Sequence, residues 1–146
     1  VPDRSGTADA GACTFCRIAA GTSPAFEVWR DDAHMAFLDT RPLFDGHVLV
    51  VPRPHVPTLG DLEPVAIGPF FILVQRIEDA VRRACDAPGT FVAVNNVVSQ
   101  SVPHLHVHVV PRRPKDGLRG FFWPRTRYPD DAAARATAER IAAAIR

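Results

Sequence analysis

No stretch of this 146-residue chain holds enough consecutive apolar residues to cross a bilayer as a helix, and its start lacks the charged-then-apolar pattern of a secretory signal. A membrane partner is therefore not expected. Excess charge of one sign is also missing. Seventeen basic against sixteen acidic side chains leave +1, which gives no case for nucleic acid as the main partner. Cysteine is scarce. Three cysteines, two of them close together, cannot form a disulfide framework, so a reducing cytoplasm is the expected compartment. Lysine occurs once, at Lys115, so the basic charge is almost wholly arginine. There is no internal repeat and no sign of a second domain.

What is present suits one globular domain with a core. Residues 1–11 are small and polar and read as a flexible leader. Cys13 to Ala20 reads as a short helical turn ended by Gly21. Glu27–Arg30 and Met35–Asp39 are strand-like and joined by Asp31-Asp32. His47–Pro52 is rich in β-branched residues and is a further strand. From about Leu62 to Asp86, Phe70, Val74, Ile77, Val81 and Ala84/Cys85 recur at helical intervals, with Gly68-Pro69 as a kink or the start of the regular part. Phe91–Val94 is another strand. Arg112 to Arg127 holds too much Pro, Gly and Arg for regular structure, and Asp130-Asp131 cap a last Ala-rich helix. The expected class is α+β: an antiparallel sheet with one long central helix, a short N-terminal helix and a C-terminal helix.

The chemistry concentrates in His104-Leu105-His106-Val107-His108-Val109-Val110. Period-two alternation puts the three histidines on one face of a strand and Leu105, Val107 and Val109 on the other. A solvent-facing polar stripe is one reading. A catalytic metal site is a second, although His104 and His108 would lie roughly 13 Å apart at about 3.3 Å per residue, too far to share one ion. Nucleophilic attack on phosphorus is a third. A neutral imidazole is a good nucleophile near neutrality, and a phospho-histidine intermediate divides one displacement into two.

The run Gln100 to Val110 resembles the histidine triad (HIT) motif, His-φ-His-φ-His-φ-φ with φ apolar. Ala36-Phe37-Leu38-Asp39 followed by Gly46 to His55 resembles the family's other signature block, in matching order and spacing. The resemblance implies a HIT domain over residues 12–111, with 112–146 a divergent C-terminal extension packed on the same domain. It implies a nucleotidyl hydrolase or transferase acting on a purine nucleotide, and a homodimer. By that resemblance His106 is the nucleophile and His108 a phosphate contact. Ser101 contacts the phosphate or the departing group, and His47 supports the triad. Asp39 matches the acid that binds the ribose hydroxyls, and Phe15, Ile18, Phe37 and Leu49 match positions that wall the base. Asn95 or Asn96, and Gln100, are expected to contact substrate.

Cys13-x-x-Cys16 read alone is a redox pair, free thiols, or half of a structural zinc site. In zinc-bearing HIT proteins such a pair joins two histidines, here His55 and His104. The resemblance thus implies one structural zinc per chain on Cys13, Cys16, His55 and His104, with no open position for catalysis. Cys85 is expected as a buried core thiol.

The chain departs from the family pattern in two places. Asn95 to Gln100 has no glycine, where many relatives place a Gly-rich loop. Arg112 to Tyr128 carries six cations, one anion and four aromatics, and Arg119, Trp123 and Arg125 in it are candidates to bind a polyphosphate or a second base. Phosphoramidates and dinucleoside polyphosphates are the expected substrates. The rival readings are a zinc-dependent hydrolase using the histidine row as ligands, and a nucleotide-binding protein without significant turnover.

Overall fold

The structure, a computed structural model, describes residues 11–118 and 126–144. The expected leader therefore lies outside the described residues apart from Gly11, as do Arg119, Trp123 and Arg125. The chain divides between Pro114 and Lys115 into two compact units.

The first unit is built on five antiparallel strands in the order β1-β2-β3-β5-β4. They are β1 (Glu27–Arg30), β2 (His34–Leu38), β3 (Val48–Pro52), β4 (Gly89–Val94) and β5 (Val107–Arg112). The turn between β1 and β2 forms because the Asp31 carboxylate accepts hydrogen bonds from the backbone N–H groups of Ala33 (2.8 Å) and His34 (2.7 Å) and from Trp29 Nε1 (3.0 Å). Burial opposes the charge, but these donors prevail and hold Asp31 at about 2.

Each face of the sheet is covered by a helix. Helix α2 (Pro64–Ala84) lays Phe70, Leu73, Val74, Ile77 and Val81 against Ala36, Val48, Val50, Leu105, Val107 and Val109. Helix α1 (Thr14–Ala19) closes the opposite face, packing Phe15 and Ile18 on Met35, Phe37, Leu49 and Val51. All five residues of β3 are therefore buried, which is why that strand reads as a continuous apolar run rather than an alternating one. Gly21 ends α1 at φ 77°, a left-handed conformation that favours glycine.

Two local expectations are corrected. The regular part of the helix does not start at Pro69; it runs from Pro64. Pro69 can donate no bond to Val65, but Val65 is 86% exposed and water can serve that carbonyl. The laddered strand starts at Val107, not at His104, and continues through Pro111 and Arg112. The backbone N–H of His104 bonds Val102 O (2.8 Å) and that of Leu105 bonds Val56 O (2.6 Å), so these donors serve loops instead of a neighbouring strand. The expected two-sidedness survives: Leu105, Val107 and Val109 join the α2 core and the histidines face the α1 side.

In the second unit, α3 (Asp131–Ala144) is capped as expected, with Asp130 Oδ1 accepting from Ala133 N at 2.8 Å. Among the described residues, no helix is long and apolar enough to cross a membrane.

Candidate active site

A cavity of about 280 Å³ opens on the α1 face of the sheet. Register explains its lining. Phe37, Leu49 and His108 stand side by side across β2, β3 and β5. Asp39 lies just past the end of β2, and His106 just before the start of β5. Phe15 and Ile18 close the cavity from α1, and Ser101 and Val102 from the loop before β5. Phe15 meets Phe37 edge-on at 5.3 Å and His106 at 5.2 Å between ring centroids. The result is an apolar slot whose acid and imidazoles gather together, with Asp39 within 4.8 Å of His47 and His108.

The ring nitrogens sort themselves by their partners. His106 Nδ1 is 2.7 Å from the His104 carbonyl oxygen. A carbonyl only accepts, so Nδ1 carries the proton and Nε2 keeps a free lone pair. The Leu43 N–H donates to His47 Nδ1 at 3.1 Å, so the His47 proton is on Nε2. That Nε2 donates to His108 Nδ1 at 2.9 Å, which leaves the His108 proton on its own Nε2. One imidazole thus offers a lone pair while another on the same wall offers an N–H. Asp39 Oδ2 is 3.8 Å from His47 Nε2, and Asp39 Oδ1 accepts from the Arg41 N–H at 2.8 Å. Burial, with the neighbouring imidazoles adding to it, pushes His108 down to about 4 and His47 below its ordinary value; the Asp39 carboxylate opposes both shifts.

A second cluster lies beside the first. The ligand atoms of Cys13, Cys16, His55 and His104 are all within 4.8 Å of one another. Cys13 Sγ is 3.4 Å and Cys16 Sγ 3.6 Å from His104 Nδ1, and Cys16 Sγ is 3.3 Å from His55 Nδ1. A tetrahedron with metal–ligand bonds of about 2.1–2.3 Å has edges of about 3.4–3.8 Å. His104 Nε2 donates to the Pro52 carbonyl at 2.7 Å, so Nδ1 faces the sulfurs unprotonated, as a ligand must. Burial and the adjacent Cys13 push the Cys16 thiol up to about 11, so without a cation Cys16 stays a thiol. The residues fit a closed Cys2His2 zinc site.

Residues 20–115 match the HIT domain. The chain belongs to the HIT family. It is 40% identical over 108 residues to an uncharacterized HIT-like protein of Mycobacterium tuberculosis, covering 73% of this chain and 75% of that one. It is 35% identical to the adenylylsulfatase HINT3 of Arabidopsis thaliana, over 73% of this chain and 55% of that protein. A bis(5'-nucleosyl)-tetraphosphatase of Schizosaccharomyces pombe is 33% identical, over 60% of this chain and 50% of that one. Among solved structures, a HIT family protein of Bacillus subtilis superposes with TM-score 0.83 at 28% identity, covering 92% of this chain and 98% of that one. A zinc-bound histidine triad protein of Mycobacterium smegmatis gives 0.70 at 34% identity, covering 93% and 99%. The family is one of nucleotide hydrolases and transferases.

Of the expected HIT site residues, Phe15, Ile18, Phe37, Leu49, Asp39, Ser101, His106 and His108 line one cavity. His47 is buried behind His108. Asn95 and Gln100 do not line the cavity. The Gln100 side chain is committed elsewhere: Oε1 accepts from Val97 N at 3.0 Å and Nε2 donates to the Pro57 carbonyl at 2.6 Å. The glycine-free loop nonetheless adopts left-handed backbone at Val97 (φ 67°) and Ser99 (φ 62°). Thr14, Thr40, Arg41 and Val102 also line the cavity and were not singled out from sequence. The turn former Asp39 followed two residues later by Arg41 carried a readable signal, an Asx turn that brings a cation to the rim.

His108 generates a pH prediction. Its ring is neutral in the fold, so the unfolded chain takes up the proton first. The stability it contributes is complete above about pH 6.5 and falls as pH drops toward 4. A loss of about 2 kcal/mol is expected between about pH 6.5 and about pH 5. Urea midpoints should show that decline in the wild type and a flatter one in His108→Gln. An equal slope in both would remove His108 as its source.

Proposed function

We propose that this HIT protein cleaves a purine nucleotide phosphoramidate or a dinucleoside polyphosphate through a covalent nucleotidyl-His106 intermediate. One observation carries the reading: the His106 Nδ1–H bond to the His104 carbonyl leaves Nε2 with a bare lone pair on a ring that lines the cavity. That lone pair attacks the α-phosphorus. The bond from phosphorus to the leaving nitrogen or oxygen breaks, and the leaving group departs with the electron pair and gains a proton. Water then attacks the phosphorus, releasing the nucleoside monophosphate and regenerating His106. His108 Nε2–H donates to a non-bridging phosphate oxygen, and Ser101 serves the phosphate or the departing group. Asp39 accepts the ribose hydroxyls, and Phe15, Ile18, Phe37 and Leu49 hold the base. The names of the adenylylsulfatase and tetraphosphatase relatives support a nucleotide with a cleavable bond at phosphorus.

A zinc hydrolase built on the histidine row finds only His108 in a second candidate metal group among the described residues, beside Asp39 and His47 and without His106. Both His47 nitrogens are engaged, Nδ1 by the Leu43 N–H and Nε2 by His108, which argues against it. Zinc is proposed as structural only, on Cys13, Cys16, His55 and His104. There it supplies a fixed cross-link between α1 and the segment leading into β5. A homodimer, as the resemblance implies, belongs to the same reading; β4 is an edge strand with Val92 exposed.

Two experiments test these assignments. Wild-type protein quenched during turnover of a radiolabelled adenosine phosphoramidate should carry a nucleotidyl adduct. His106→Ala should carry none and lose at least about 10³-fold in kcat. Turnover surviving that change would refute the nucleophile. Elemental analysis should find one zinc per chain, lost in Cys16→Ala together with thermal stability. Wild-type protein purified and zinc-supplemented yet free of bound zinc would refute the metal site.

A further inference from the structure

The loop before β5 contradicts its own composition. Val97 and Ser99 hold left-handed φ values of 67° and 62°, and Val97 is β-branched, the residue class least suited to that region. Such conformations cost on the order of 1–3 kcal/mol and persist only where surroundings impose them. The surroundings here are two side-chain amides. Asn96 Oδ1 accepts from the Leu59 N–H at 2.9 Å. Gln100 uses both ends of its amide, accepting from Val97 N (3.0 Å) and donating to Pro57 O (2.6 Å). Both ends of the turn are thereby tied to one short stretch, residues 57–59. Directly after the second tie comes Ser101, which lines the cavity with His106.

We propose that Asn96 and Gln100 are positioning residues: they clamp the 96–101 turn to Pro57 and Leu59, and the clamp sets where Ser101 meets the substrate phosphate. Gln100 on this view never touches the nucleotide. The clamp does what glycine would otherwise make unnecessary, since a glycine turn adopts left-handed backbone without being held. Ser101 acting on phosphate rests on the proposed nucleotidyl chemistry, whereas the clamp itself does not.

The test compares Asn96→Ala, Asn96→Asp, Gln100→Leu and the Asn96→Ala/Gln100→Leu double variant. Asn96→Asp keeps the acceptor for Leu59. With adenosine phosphoramidate, Asn96→Ala and Gln100→Leu should each lower kcat about tenfold while KM stays within about twofold, as misplacement of a catalytic group does. The double variant should be no worse than about the poorer single one, because either cut frees the same turn. Asn96→Asp should restore kcat. A wild-type kcat in Asn96→Ala, with Gln100→Leu raising KM, would overturn the clamp and make Gln100 a substrate ligand. A second readout needs no turnover: the ³¹P resonance of bound AMP. It should move in the same direction in Ser101→Ala, Asn96→Ala and Gln100→Leu. An unmoved resonance in Asn96→Ala would also overturn the proposal. If His106→Ala still turned over substrate, the covalent mechanism would fail while the ³¹P comparison judged the clamp alone.

Discussion

The hydrogen bond from His106 Nδ1 to the carbonyl of His104, 2.7 Å long, joins everything else in this molecule. It chooses the tautomer that frees Nε2, and it holds the ring edge-on to Phe15 in the cavity wall. Its acceptor belongs to a residue that is itself anchored twice. The His104 ring donates to Pro52 at the end of β3, and its other nitrogen faces the Cys13 and Cys16 sulfurs on α1. Displacing His104 would therefore disturb the proposed nucleophile through one covalent residue and one hydrogen bond. A metal bound there would act on the proposed reaction only through that scaffold.

The same logic accounts for the electrostatics. Of the two imidazoles that face each other His47 is buried and His108 partly so, and that burial favours the neutral form of both. A neutral His108 that receives a proton bond on Nδ1 can present only an N–H on Nε2. The wall thus separates a donor position on His108 from a lone-pair position on His106. Phosphate is suited to such a wall, because it needs an attacking lone pair on phosphorus and N–H donors on its oxygens.

Much of this was legible in the sequence, for reasons that can be named. Period-two alternation assigned the faces of β5 correctly even though only Val107 onward is laddered, because extended backbone alternates whether or not it is paired. The 70-74-77-81 spacing identified the buried face of α2, which also takes in Leu73. Phe37, Asp39, Leu49, Ser101, His106 and His108 came from family-like spacing in two blocks that the sheet register brings side by side. Illegible were the choices made by loop backbone. The carbonyls of Pro52 and His104 and the N–H of Leu43 decide which nitrogen of each histidine is free, and their positions depend on folded geometry. The family resemblance offered Gln100 as a substrate contact; what sequence could not show is that its amide bonds Pro57, forty-three residues away in the chain.

The central claim is about where protons sit on three rings, and ¹⁵N resonances of the histidine side chains read that directly. In protein with assigned imidazoles near neutral pH, the expected spectrum has His106 protonated at Nδ1 with a bare Nε2, and His108 protonated at Nε2 with Nδ1 as acceptor. A His106 ring carrying its proton on Nε2 would contradict the claim, since that nitrogen would then have no lone pair to attack with.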